Sequence, residues 1–202
     1  MTILTLSGSP SATSKSHRIL QHIATELRAR GNRVDSLSVR ELPPAALLAA
    51  DAGEPTIAAA LARVARARAV VIGTPVYKAA YSGLLKTFLD LLPQDGLSGK
   101  TILPLATGGS LAHTLALDYG LKPVLSALGA RHLLASIYVV DGQVKLVDGQ
   151  PLELDGAVDQ RIGEGLFRLQ EALTPDDRAA RPPLPEHAPA GDHEPLAVRC
   201  GA

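Results

Sequence analysis

The sequence predicts an α/β protein built on a doubly wound parallel sheet. Continuous apolar runs such as Ile3-Leu4-Thr5-Leu6 and Ala69-Val70-Val71-Ile72 are typical of strands buried on both faces. Amphipathic helical patterns separate these runs, so that strands and helices alternate five times along the chain. Such an alternation places helices on both faces of the sheet, and right-handed crossovers leave few topologies.

The amino-acid composition and net charge limit the classes of protein to which this chain can belong. The chain has 202 residues with 46% hydrophobic residues and a formal net charge of +0, which favours one globular domain and argues against nucleic acid or anionic membrane as the main partner. The single cysteine, Cys200, excludes an internal disulfide framework and a cysteine metal cluster. No leader or membrane-spanning run is visible, so we expect a cytoplasmic protein without a metal site.

The elements follow in chain order. Strands are expected at residues 3–6, 33–39, 69–73, 100–106 and 132–140, although Pro104 removes a ladder donor from the fourth strand. Helices are expected from the serine-rich turn to the stop signal Gly31-Asn32, and at residues 56–68, 82–92, 111–128 and 155–173. A further helical turn is expected at 45–50, and Asp141-Gly142 and Asp148-Gly149 mark turns. The domain therefore spans residues 1–173, and residues 174–202 form a Pro-rich mobile tail.

The turn after the first strand has the composition of a phosphate cradle. Gly8 is followed by the hydroxyls of Ser9, Ser11, Thr13, Ser14 and Ser16, and by the cations Lys15 and Arg18. The N–H groups and dipole of the helix that begins here favour an anion. The alternative is that Ser14 or Ser16 only caps this helix.

Two further turns follow the third and fourth strands. The segment Thr74-Pro75-Val76-Tyr77 offers apolar and aromatic surface for a flat ring, bordered by Tyr81 and Ser82-Gly83. The segment Thr107-Gly108-Gly109-Ser110 offers close backbone approach and donors. In doubly wound sheets the ligand lies beyond the carboxyl ends of the strands. A phosphate cradle and a flat slot at one sheet edge fit flavin mononucleotide (FMN), whereas ordinary turns with helix caps remain the alternative.

Other site types find less support. The patterns G-x-G-x-x-G, Walker A and G-x-S-x-G are absent. His113 follows the third turn, but no Ser/His/Asp set for nucleophilic catalysis can be assembled around it. His187 and His193 lie in the tail, where solvated side chains are a better interpretation than metal ligands.

Three segments also carry a family resemblance. They are SGSP at residues 7–10, TPVYKAAYSGLLKTFLDLLP at 74–93, and LPLATGGS at 103–110, and the similarity continues through 112–130. With them the chain resembles the NADPH-dependent FMN reductases of flavodoxin-like fold, in particular the reductase components of two-component alkanesulfonate monooxygenase systems. The resemblance covers residues 2–173. It implies a flavodoxin-like doubly wound five-stranded parallel sheet of order 2-1-3-4-5.

The resemblance also implies roles for individual residues. The phosphate contacts would come from Ser9, Ser14 and Ser16, the surface lining the isoalloxazine from Pro75, Val76 and Tyr77, and its polar edge from Thr107, Gly108 and Gly109, with Ser110 adjoining. Ser11 stands where the family often has arginine, so Lys15 or Arg18 would take its place.

An activity and an assembly are implied as well. The expected enzyme passes a hydride from NADPH or NADH to dissociable FMN, needs no catalytic side chain, and supplies reduced FMN to a partner monooxygenase in sulfur metabolism. Tyr119 would be an inserted residue forming a π-helical bulge at the interface of a dimer or tetramer, near the irregularity due to Pro123. The alternatives are a flavin-retaining quinone, azo-dye or chromate reductase, and a non-enzymatic flavodoxin-like electron carrier.

Overall fold

The computed structural model describes residues 2–147 and 152–174 and contains the expected parallel sheet. Strands β1, β2, β3 and β5 lie in the order β2-β1-β3-β5, and β6 and β7 follow one another along the outer side of β5. The five-stranded order 2-1-3-4-5 is therefore confirmed, with its last strand in two pieces. The strands are β1 (Thr2–Ser7), β2 (Arg33–Ser38), β3 (Ala69–Tyr77), β4 (Ala80–Tyr81), β5 (Thr101–Gly108), β6 (His132–Leu133), β7 (Ile137–Val140), β8 (Val144–Lys145) and β9 (Glu153–Leu154).

Helices cover both faces of this sheet. Two of them pack on the face that carries Ile3, Val71 and Leu105, and the others pack on the face that carries Leu4, Ile72 and Ala106. No helix in the described part of the chain is long and apolar enough to cross a membrane. The helices are α1 (Lys15–Ala29), α2 (Pro44–Leu48), α3 (Pro55–Arg66), α4 (Gly83–Leu89), α5 (Lys122–Ala127) and α6 (Gly156–Leu173), of which α1 and α6 form the first group.

The fifth strand is interrupted where its neighbour contains a proline. β6 pairs with Thr101 and Ile102, whereas β7 pairs with residues from Leu105 onward. The Ile102 carbonyl accepts from Leu134 N–H (2.9 Å), so residue 104, two positions along, faces the same neighbour. Pro104 has no N–H to offer there. The prediction of one continuous strand over residues 132–140 is therefore wrong, because the strand consists of two pieces.

The strand expected at residues 69–73 continues to Tyr77 and forms a hairpin with β4, where the sequence predicted a polar turn. Val76 pairs with Tyr81 and Tyr77 with Ala80 in antiparallel register. The two connecting residues, Lys78 and Ala79, have φ values of 50° and 63°. A two-residue turn with positive φ at both positions matches the twist of the strands, but it usually contains Asn or Gly.

The prediction of one regular α-helix over residues 111–128 is wrong. The segment contains a 3₁₀ turn at Leu111–His113, a π-helical turn at Leu117–Leu121 and then α5. Pro123 lies in the first turn of α5, where its missing N–H is tolerated. In a continuous α-helix that N–H would bond the carbonyl of Tyr119, so the proline removes one α-helical bond where the π turn passes directly into α5.

Some expectations fall outside the described residues. These are the tail, with His187 and His193, and the turn at Asp148-Gly149. Within residues 2–147 and 152–174, no group of three His, Cys, Asp or Glu side chains forms a set that could hold a metal ion.

We expect Ala79→Gly to stabilise the protein. Left-handed backbone costs a residue with a Cβ roughly 1 kcal/mol or more, so the free energy of unfolding in urea should rise by about 1 kcal/mol. Ala80→Gly is the matched control, because Ala80 lies in β4 and glycine weakens a strand by about 0.5–1 kcal/mol. A lower stability for Ala79→Gly would contradict the strained turn.

Candidate active site

The carboxyl ends of three neighbouring strands bring the three predicted turns together. Ser7 of β1 pairs with Gly73 of β3, and Gly73 pairs with Leu105 of β5. Beyond β1, Gly8 N–H donates to the Gly73 carbonyl (2.8 Å). The first, second and third turns therefore leave the same sheet edge from adjacent strands, as the sequence predicted.

A buried serine joins the first turn to the hairpin and to α4. Ser82 caps α4 by accepting from Leu85 N–H (3.1 Å), and its hydroxyl donates to the Gly8 carbonyl (2.5 Å). Its own N–H donates to the Thr74 hydroxyl (3.0 Å). A Cβ on Gly8 would lie 2.6 Å from the Leu85 Cβ, so only glycine permits this approach. Ser82 thus fixes the positions of the first turn, the hairpin and α4 relative to one another.

The first turn holds its hydroxyls in a local network. Ser9 is fully buried and its Oγ exchanges bonds with Ser11 backbone atoms at 3.2 Å, while Ser14 caps α1 by accepting from His17 N–H (3.2 Å). Ser14 Oγ lies 3.3 Å from the Oγ of the buried Ser16. The capping alternative therefore holds for Ser14. It is compatible with anion binding, because helix geometry directs the N–H groups of Lys15 and Ser16 out of the first turn.

Lys15 connects the two ends of the site. Its ammonium donates to the carbonyl of Asp141, which follows β7 (2.5 Å). A lysine ammonium carries three donors, so this bond leaves two for another acceptor. Lys15 therefore lies between the first turn and the loop after the fifth strand, a location that the sequence did not predict.

The hairpin presents the second set of predicted residues. Pro75 is buried as the register partner of Thr107, Val76 is half-buried, and Tyr77 is half exposed. A Cβ built on Gly108 would lie 3.4 Å from the Val76 Cβ, which places the hairpin against the third turn. The apolar and backbone-donor surfaces are therefore contiguous.

The third turn is held by a tyrosine that the sequence analysis did not single out. The hydroxyl of the buried Tyr138 donates to the Ser110 carbonyl (2.7 Å) and occupies the space that a side chain at Gly108 would need. Burial, and secondarily the carboxylate of Asp141, raises the pKa of Tyr138, so its phenol remains a donor. Thr107 is buried, whereas Gly109 and Ser110 are exposed.

Tyr119 lies outside this cluster. It is at the centre of the π-helical turn and is 79% exposed, and its neighbour Gly120 packs near the Tyr81 ring. The residues that sequence reasoning missed, Tyr138 and Asp141, come from one loop and strand far along the chain. The only sequence feature that pointed to Tyr138 was an aromatic residue in the fifth predicted strand, next to a fourth strand that ends in Gly108.

Comparisons with known proteins give a consistent result. A family model described as NADPH-dependent FMN reductase matches residues 1–145. An FMN reductase (NADPH) of Pseudomonas putida strain KT2440 is 42% identical over 92% of this chain and 93% of its own length. An FMN reductase (NADPH) of Escherichia coli K12 is 44% identical over 71% of this chain and 75% of its own length.

Solved structures agree with the sequence relatives. The apo form of an NADH:FMN oxidoreductase superimposes with a TM-score of 0.78 at 37% identity, covering 87% of this chain and 91% of that one. An archaeal flavodoxin shares the fold alone, with 10% identity, a TM-score of 0.57 and coverage of 86% and 99% of the two chains. The flavodoxin-like class of the fold is therefore confirmed.

We expect Tyr138→Phe to weaken FMN binding. The change removes the donor that holds the Ser110 carbonyl, and a net hydrogen bond of about 0.5–1.5 kcal/mol corresponds to a roughly 2- to 10-fold rise in Kd. Quenching of FMN fluorescence on titration measures this Kd. Tyr119→Phe, at an exposed position outside the cluster, should leave the Kd unchanged, and equal values for all three proteins would contradict the role of Tyr138.

Proposed function

The chain belongs to the NADPH-dependent FMN reductase family and is an NAD(P)H:FMN oxidoreductase, and we propose that it uses FMN as a dissociable substrate for delivery to a partner monooxygenase. The observation that carries the proposal is the convergence of three chemically different loops on one sheet edge. The first loop supplies hydroxyls and the start of α1. The second forms an apolar hairpin, and the third supplies backbone N–H donors at its glycines.

The residues present suit the parts of FMN. The phosphate would be held by the first turn, whose N–H groups and hydroxyls favour a dianion. The hairpin would lie along the isoalloxazine, and the third turn would donate to its polar edge. The proposed contacts are Ser9, Ser11, Ser14, Lys15 and Ser16 for the phosphate, Pro75, Val76 and Tyr77 for the ring, and Thr107, Gly108, Gly109 and Ser110 for its edge.

The protein's part in the reaction is positioning. Bound FMN supplies the hydride acceptor, and hydride transfer between two cofactors requires no acid or base from the protein. The Ser82 bonds and the Tyr138 bond fix the loops against which the ring would lie, so the reacting atoms can be held in the correct orientation. We therefore assign no catalytic residue.

Exposure at the rim supports release of the flavin. Ser11, Tyr77, Gly109 and Ser110 are exposed in the protein, so several of the proposed contacts lie at an open surface. A reductase that feeds a second enzyme must let its product leave. The segments quoted from the sequence resemble those of reductases serving alkanesulfonate monooxygenases, so we propose such an enzyme as the partner and desulfonation as the downstream reaction.

We expect the purified protein to carry less than stoichiometric flavin and to oxidise NADPH when free FMN is added. Initial rates at varied NADPH and FMN should give intersecting double-reciprocal lines, because both substrates must be bound together for hydride transfer. Stopped-flow oxidation of NADPH, with and without a candidate alkanesulfonate monooxygenase, measures each step.

Other outcomes of these assays identify the alternatives. Flavin retained at one per chain, with parallel lines and a quinone as acceptor, would contradict a dissociable substrate and indicate a flavin-retaining reductase. Normal NADPH oxidation without sulfite release from the alkanesulfonate, when the monooxygenase is added, would leave the reductase intact but contradict the proposed partner.

An apolar row beside the site suggests the oligomer interface. Leu111, Leu115 and Tyr119 are exposed to 69%, 57% and 79%, and they recur every four residues around the π-helical turn. Clustered exposed apolar side chains mark association surfaces. We propose that this row joins subunits of a dimer or tetramer.

Tyr119→Arg should therefore lower the molar mass measured by size-exclusion chromatography with light scattering, because it places a charge in the apolar interface. Leu48→Arg is the control, since Leu48 is an equally exposed leucine (80%) on α2 that does not belong to this row. A circular dichroism spectrum checks that both variants fold. Equal masses for the two folded variants would contradict the proposed interface.

A further inference from the structure

The amino edge of the sheet carries a row of cations that flavin reduction does not use. Arg68, Lys100 and Arg131 each immediately precede a strand, namely β3, β5 and β6. The first residues of these strands are in register, because Ala69 pairs with Thr101 and Thr101 with His132. Adjacent strands lie about 4.8 Å apart, so the register lines up three basic residues side by side.

These side chains border one small pocket. Its volume is ≈ 200 Å³, and Arg68, Lys100, Thr101, Arg131 and His132 contribute to its wall. No carboxylate of residues 2–147 or 152–174 lines it, and none of the three cations forms an ion pair within those ranges. The pocket therefore collects positive charge without a carboxylate from the described part of the chain.

Helix ends account for only part of this charge. The Lys100 ammonium donates to the carbonyls of Ala65 (2.8 Å) and Ala67 (2.9 Å) at the end of α3, where the helix dipole favours a cation. One of its three donors is left over. Burial is the main cause that lowers the pKa of Lys100, and the charge of Arg68 contributes second. The guanidinium groups of Arg68 and Arg131 make no hydrogen bond among the described residues.

We propose that this amino-edge pocket binds a small inorganic oxyanion of the sulfate or phosphate type. Arg68, Arg131, Lys100 and Thr101 line this pocket together with Ala172 and Leu173 of the last turn of α6, and guanidinium, ammonium and hydroxyl groups are the donors that bind a tetrahedral dianion. His132 Nδ1 lies 3.1 Å from Thr101 Oγ1 and fixes that hydroxyl at the pocket wall. β3 has nine residues, so the pocket lies about 30 Å from the flavin edge.

The test is titration of the full-length wild-type protein with sodium sulfate, with ionic strength held constant by sodium chloride. Calorimetry should show one saturable site, and the unfolding midpoint Tm should rise by about 3 °C at ten times Kd. Arg131→Gln should weaken sulfate binding at least tenfold. Arg66→Gln, a basic residue of the same edge outside the pocket, is the matched control and should bind as the wild type does.

A second readout separates a binding role from a structural one. Without sulfate, Arg131→Gln should unfold at or above the wild-type Tm, because it relieves repulsion, whereas loss of a structural contact would lower Tm. Absence of saturable binding, or an equal loss in Arg66→Gln, would overturn the proposal. The double variant Asp176→Asn/Asp177→Asn gives a further test. If it binds sulfate more tightly than the wild type, carboxylates of the chain itself compete for the pocket, and the proposal that its ligand is a free inorganic ion is overturned.

Discussion

The bonds of Ser82 are the constraint on which the site depends. One hydroxyl caps α4 and donates to the Gly8 carbonyl, while the Ser82 N–H closes the hairpin on Thr74. All three groups are buried, so an unmade bond would cost a desolvated polar group about 1–3 kcal/mol. The first turn and the hairpin therefore cannot move separately, and a flavin meets a surface that is already assembled. The absence of a side chain on Gly8 is what permits the approach of α4.

Much of the fold could be predicted from the sequence because its signals are local. Continuous apolar runs predicted the strands, and the alternation with helices predicted a parallel sheet. Continuity of single elements was not predictable in the same way. The break in the fifth strand depends on Pro104 of a different strand, and the π-helical turn around Tyr119 was implied by the family resemblance and not by the helical pattern. Apolar periodicity contains neither kind of information.

The candidate site shows the same division. Glycine, serine and threonine at strand ends were visible in the sequence, and parallel topology sufficed to predict that they meet. The groups that hold them in place, Tyr138 on Ser110 and Lys15 on Asp141, are 28 and 126 residues apart in sequence. No regular sequence spacing links the two residues of either pair, so neither contact could be predicted from the sequence. Even the hairpin lacked its usual signal, because its turn contains Lys78 and Ala79 at positive φ, where Asn or Gly is expected.

The polarity of a parallel sheet explains why the two edges differ in chemistry. Residues after the strands share one edge, and here they are mostly hydroxyls, backbone donors and glycines, with Lys15 as the cation proposed to contact the phosphate. Residues before the strands share the other edge, and here the register turns Arg68, Lys100 and Arg131 into a row. Helix C-termini offset a cation only within their last turn. A row of three across neighbouring strands therefore retains positive charge that the described part of the fold does not neutralise, and an oxyanion would neutralise it at the edge opposite the flavin site.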